Sequence, residues 1–163
     1  MPNAGDPVLA ADWNNIRAMY VRKGTDTARA NNVTPTADPT LKITLPAGKL
    51  YQVFGRVVYD GLAAADLKGG LYVPSTGWYE GGYEGQPSTA ASASGAVTTD
   101  QVGVGTGYVW GAIGVGSSLG AQFVGVMFSG VGGDFGFTWA QAVTNATATT
   151  VKAASFFTLV PWA

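Results

Sequence analysis

From Leu41 onward, apolar and polar positions along the chain recur with a period of two. In KLYQVFGRVVYD, residues 49–60, Tyr51, Val53, Val57 and Tyr59 share one face, while Gln52, Arg56 and Asp60 share the other with Phe54 and Val58 among them. That pattern predicts a long strand whose second face is partly covered. Further strands are predicted over 41–45, 66–74, 77–85, 96–104, 107–115, 121–130, 135–143 and 150–160, separated by clusters of Gly, Pro, Ser and Asn. Many short strands at this spacing, with no helical pattern between them, predict an all-β fold, an antiparallel β-sandwich or jelly roll.

Ahead of Leu41 the pattern differs. Residues 1–9 are broken by Pro2, Gly5 and Pro7. In LAADWNNIRAMYVRKG, Asp12 can cap a short helix in which Trp13, Ile16 and Met19 or Tyr20 form one apolar stripe. A helix of two or three turns is too short to stand alone and must dock on something. Residues 24–40 are polar, carry Pro35 and Pro39, and read as a linker or extended arm. The expected organisation is an N-terminal arm over 1–40, with its short helix, and a sandwich over 41–163.

The last strands carry apolar residues on both faces. Val124, Val126 and Phe128 alternate with Phe123 and Met127, and Phe156 and Val160 alternate with Phe157 and Leu159. A strand in a two-layer sandwich needs only one apolar face. The second predicts a further cover: another copy, a larger particle, or a loop folded over the sheet. The closing strand is expected inside its sheet rather than at an edge.

Charge sharpens this. Charged residues are 12% of the chain, about half the usual share. From Gly77 to the end the charges are Glu80, Glu84, Asp100, Asp134 and Lys152 alone. Such a stretch is either a surface rich in Ser, Thr and Gly or one covered by other subunits, since obligate interfaces are poor in charge and rich in aromatics. The second reading is preferred, because aromatics are dense there. A net charge of −1, with no basic stripe, points to no nucleic-acid partner. No apolar stretch is long enough for a membrane helix, and the opening residues lack the basic start of a signal peptide. The N-x-[ST] patterns at Asn32 and Asn145 read as chance.

Most catalytic chemistry is absent. The chain has no His and no Cys, which excludes a Ser–His–Asp triad, a thiol nucleophile and zinc sites of the usual ligand types. Glu80 and Glu84 lie in GWYEGGYEG; four residues apart on a strand is about 13 Å, beyond the roughly 5.5 to 9.5 Å of glycosidase carboxylate pairs. Trp78, Tyr79 and Tyr83 in the same stretch could instead stack on a glycan, against the simpler reading of aromatics packing on a neighbour. The glycine-rich run over 103–120 lacks the Lys-Ser/Thr of a phosphate loop and reads as close strand packing. No cofactor and no metal are expected, and a cell-wall hydrolase using Glu80 or Asp134 is the weakest alternative.

Two stretches bear a resemblance. AGDPVLAADWNNIR, residues 4–17, resembles the opening of many accessory head and tail proteins of tailed bacteriophages. FTWAQAVTNATATTVKAASFFTLV, residues 137–160, is similar to the closing stretch of small β-rich virion structural proteins in phages infecting actinobacteria. The polar arm, D-P-x-L step and long first strand between them resemble the same group, and residues 76–120 depart from it. The resemblance implies a non-enzymatic virion protein, assembled in the host cytoplasm. It further implies a capsid decoration or minor capsid protein acting as a homotrimer on the major capsid protein or another virion protein. On this reading Trp13, Ile16, Arg17, Met19 and Tyr20 are expected to contact the capsid. Phe156, Phe157, Leu159 and Trp162 are expected at the trimer interface. The alternative is a tail-associated receptor-binding or glycan-adhesion module using Trp78, Tyr79 and Tyr83.

Overall fold

A computed structural model describes residues 17–88, 98–102, 104, 105 and 107–162, the stretch 98–102 by its backbone. Every regular element described is a strand: β1 (Met19–Arg22), β2 (Thr27–Arg29), β3 (Thr36–Leu45), β4 (Leu50–Gly61), β5 (Leu67–Tyr72), β6 (Trp78–Gly85), β7 (Thr98–Val102), β8 (Tyr108–Trp110), β9 (Gly114–Phe128), β10 (Gly133–Gln141), β11 (Thr149–Val151) and β12 (Phe156–Trp162). The strands form two antiparallel sheets. The larger has the order β1-β12-β4-β9-β6-β7, with β11 joining β4 to β2; the smaller has the order β3-β10-β5-β8.

The predicted period of two is the one observed. Tyr51, Val53, Val57 and Tyr59 of β4 are buried, and so are Phe123 and Met127 of β9 and Phe157 and Leu159 of β12. Opposite them, β5, β8 and β10 supply Leu67, Leu71, Trp110, Phe135, Phe137 and Trp139. Rings run edge-to-face across the core: Trp110 to Phe123 at 5.7 Å, Phe123 to Phe137 at 5.9 Å, and Phe135 to Phe157 at 5.4 Å between centroids. Such contacts add to the burial of each ring. Two glycines make room for them, because a Cβ at Gly55 would meet the Phe157 ring and one at Gly85 the Trp110 ring.

Several boundaries differ from expectation. Met19 and Tyr20, expected on a short helix, lie in β1, where they point to opposite faces; pairing with β12 supplies hydrogen bonds that a short isolated helix could not match. Trp13 and Ile16 lie outside the described residues. The expected linker over 24–40 contains β2 and the first half of β3, so the boundary expected at residue 40 falls inside β3. The closing stretch 150–160 is two strands, divided at Lys152–Ser155, where Ala154 adopts φ 72°. As expected, β12 is no edge strand: it lies between β1 and β4.

Candidate functional site

Two places gather unusual residues: a buried polar clasp between the sheets, and the outer face of the larger sheet.

The clasp begins at a strand irregularity. β3 is an edge strand, and its register against β10 slips between Gly136, opposite Lys42, and Thr138, opposite Ala37. Pro39 is tolerated there because the ladder is interrupted. The slip turns Asp38 inward, where it is fully buried. Asp38 Oδ1 accepts from the Thr40 and Leu41 backbone N–H groups, each at 3.0 Å, and Oδ2 accepts from Trp139 Nε1 at 3.0 Å. Lys23, just past β1 and also fully buried, donates Nζ to both carboxylate oxygens at 2.8 and 2.9 Å and to Thr27 and Thr40. Burial pushes the Asp38 carboxyl up. The Lys23 hydrogen bond, the two backbone donors and Trp139 outweigh burial and hold it below the ordinary value. Arg29 closes the clasp from outside, its guanidinium 4.1 Å from the Trp139 ring centroid and bonded to the Thr36, Ala37 and Trp139 carbonyls. The clasp ties the N-terminal strand of the larger sheet to β3 and β10 of the smaller. Every polar atom of the Lys23–Asp38 pair faces protein, so its role is to fasten.

The outer face of the larger sheet is the opposite case. Its cross-strand partners fall in straight rows. One row runs Trp162–Leu50–Phe128–Trp78. Two residues along comes Val160–Gln52–Val126–Glu80, and then Tyr20–Thr158–Phe54–Val124–Gly82. The fourth is Arg22–Phe156–Arg56–Gln122–Glu84. Large apolar side chains stand open to solvent here: Tyr20 is 61% exposed, Phe54 43%, Val124 56% and Trp162 53%. Scattered exposed apolar residues are ordinary, but a contiguous field across five strands is the mark of a contact surface.

The expected site residues divide between this face and the core. Arg17 and Tyr20 are exposed, whereas Met19 is half-buried and packs on the core. Of the residues expected between subunits, Phe156 and Trp162 belong to the outer face, but Phe157 and Leu159 are buried in the chain's own core. The strand alternates, so the neighbours Phe156 and Phe157 cannot face the same way, and Leu159 falls in phase with Phe157. Likewise Trp78 is 42% exposed on the outer face, while Tyr79 and Tyr83 point into the core. The three rings form no common platform for a sugar. Glu80 and Glu84 are exposed on the same face as Trp78. Asp134 is paired to Lys42 at 2.9 Å and to the Thr44 hydroxyl at 2.6 Å on the smaller sheet, and these bonds hold its carboxyl below the ordinary value. Among the described residues no three His, Cys, Asp or Glu gather as a metal site, and no helix is long and apolar enough to cross a membrane.

The fold and this face define an all-β antiparallel sandwich with one open apolar sheet. No family model matches the chain, and no curated protein matches it. Solved structures similar to it include those of infectious bursal disease virus. The Gt strain structure is 12% identical with a TM-score of 0.25, and the Gx strain structure 11% identical with a TM-score of 0.30. A mutant VP2 protein of that virus, in derived T=1 particles, is 12% identical with a TM-score of 0.27. Each match covers 90% of this chain, which spans only about two fifths of the matched chains, 41%, 41% and 40% respectively.

Proposed function

We propose that this protein is a non-enzymatic structural protein of a phage virion, a decoration or minor capsid protein that binds the shell as a homotrimer and reinforces it. The observation that carries the reading is the open apolar face of the larger sheet, in a chain whose ends resemble phage virion proteins. A surface of this kind is unfavourable in water and gains by being covered. An assembly of several copies also binds a repeating lattice multivalently, so modest contacts per copy add to a firm hold. Trp13, Ile16 and Arg17, which precede β1 in the sequence, would supply the shell contact together with Met19 and Tyr20 of β1.

The test is immunogold labelling of intact particles with antibody to this chain. Label distributed over the heads is the expected result. Label confined to the tail tip would overturn the shell assignment in favour of an adhesion module. Absence of the chain from an immunoblot of denatured virions would overturn the virion reading altogether.

A further inference from the structure

We propose that the groove on the outer face of the smaller sheet holds one neutral pyranose residue of a glycan. Trp78, Tyr79 and Tyr83, the aromatics first expected to meet a sugar, lie on the other sheet and do not share a face. The site stands on the groove's own geometry. It rests on the virion reading only for its place on the particle: a larger sheet whose outer face turns toward the shell leaves the opposite face of the sandwich turned away from it.

The groove is built where β3 and β10 lose register. Lys42, Gly136 and Tyr72 are successive cross-strand partners on β3, β10 and β5. Phe135 and Phe137 point into the core, so Gly136 holds an outward position between Asp134 and Thr138 and carries no side chain there. A Cβ at Gly136 would stand 2.8 Å from Tyr72 Oη and 3.0 Å from its Cε1, so the glycine is what lets the Tyr72 ring lie across β10. Just past Gly136 the register slips. The resulting concavity of about 500 Å³ is lined by the apolar Ala37, Pro39 and Tyr72 ring and by the polar groups of Lys42, Asp134 and Thr138. Its size falls in the range of about 300–1,000 Å³ usual for small-ligand sites.

The mixture in the lining matches a sugar. A pyranose offers C–H groups on the face of its ring and hydroxyls around its rim. A rigid aromatic ring beside a proline suits the first at little cost in conformational entropy. The second both donate and accept. Asp134 is held in place and ionised by Thr44 and Lys42, and one bond to each of its oxygens leaves lone pairs to spare. Lys42 gives one ammonium hydrogen to Asp134 and has three. Donor and acceptor therefore stand 2.9 Å apart, where two neighbouring hydroxyls can engage both. Burial and the nearby Asp134 carboxylate push the Tyr72 phenol up, which keeps its hydroxyl protonated and able to donate.

Charge disfavours the rivals. Lys42 and Asp134 offset each other, and Asp38, at the groove's floor, is paired with Lys23. A phosphate or nucleotide would meet a cation already bound to a carboxylate, with no second basic residue in the lining. A wholly apolar ligand would strip water from the ion pair and return no hydrogen bond. A neutral ring of hydroxyls does neither. One such site is shallow and weak, with Kd on the order of 1 mM; many copies on one particle would hold a glycan-coated surface multivalently.

NMR titration of the isotope-labelled full chain with the methyl glycosides of glucose, galactose, mannose and N-acetylglucosamine tests this. At least one of the four is expected to give saturable shifts at the amides of Tyr72, Gly136 and Thr138, with Kd on the order of 1 mM. Tyr72→Ala and Asp134→Asn are each expected to weaken binding by about tenfold or more while leaving the circular dichroism spectrum unchanged. Tyr72→Phe, which keeps the ring, should retain most of the affinity, and Trp78→Ala all of it. No saturable shift with any of the four sugars would overturn the proposal. So would shifts that gather around Trp78, or binding untouched by both Tyr72→Ala and Asp134→Asn. Inorganic phosphate that moves the same amides at lower concentration than any sugar would make the groove an anion site and overturn it as well. Heads that label with antibody while the chain binds no sugar would sink this inference and leave the virion reading standing; sugar binding by a chain found on no particle would do the reverse.

Discussion

The two outer faces of the sandwich are built from strands of the same kind and finished in contrary ways. On the smaller sheet, Lys42 and Thr44 both donate to Asp134, and Tyr72 and Thr138 line a shallow groove of about 500 Å³ beside them. On the larger sheet, corresponding outward positions carry Phe54, Val124, Phe128 and Trp162. The inner faces are equally apolar, so the core does not explain the difference. A polar outer face is complete once wetted, whereas an apolar one is complete only when covered. The contrast therefore sets the larger sheet's outer face apart from the smaller one without reference to any ligand.

Removing the clasp attacks the contrast at its root, because the two faces are comparable only while the sheets form one body. Asp38→Ala leaves Lys23 buried without its counter-ion and strips the acceptor from Thr40, Leu41 and Trp139. A loss of about 3–5 kcal/mol in urea unfolding at pH 7 is expected. The loss should shrink in acid. The folded-state carboxyl is held below its ordinary value of about 3.9, so its contribution is full above that value and disappears as pH falls through the folded one. An Asp38→Ala deficit that persists undiminished at the lowest pH where the wild type remains folded would contradict this.

A smaller effect separates the inside of the larger sheet from its outside. Gly55→Ala adds a methyl group against the Phe157 ring, and a destabilisation of about 1–3 kcal/mol is expected from overpacking. The neighbouring outward position, Phe54→Ser, should leave the unfolding of the isolated monomer almost unchanged while weakening assembly. Equal monomer losses at both positions would mean that the outer face is not open.

The smallest effect belongs to the polar face. Lys42→Ala removes an exposed partner of Asp134, and the urea midpoint is expected to stay within error at moderate salt. With Lys42 gone, the Asp134 carboxyl should titrate closer to its ordinary value, which NMR titration of the side chain reads directly, since Lys42 helps hold it down.

What could be read in the sequence follows from which interactions are local. Alternation is local, so β4, β6 and the far half of β9 were legible, as were the doubly apolar strands that make the outer face. The stripe of Trp13, Ile16 and Met19 or Tyr20 fitted a helix, yet spacing alone cannot register that β12 offers Met19 and Tyr20 a ladder far along the chain. β2 and the start of β3 show no apolar period because a buried ion pair between residues fifteen apart helps fix them. Apolar content marked the rows on the outer face, but the alignment of Arg22 with Glu84 depends on four successive strand registers, which no local pattern encodes. Likewise GWYEGGYEG displayed its aromatics, and only the sheet decides that Trp78 faces out while Tyr79 and Tyr83 face in.

The pairing of β1 with β12 also sets the order in which the molecule can come into being. Residues 19–22 find their partners at 156–159, and β2 finds its own at Thr149–Val151. During synthesis β1 and β2 emerge before these partners and must wait, unpaired, until residues 149–159 follow them out. Closing so distant a contact is slow, on the scale of milliseconds to seconds for β-rich chains. The larger sheet thus has no finished face to offer until β12 is in place, and a nascent chain still lacking that strand has neither the complete body nor the complete surface on which assembly would begin.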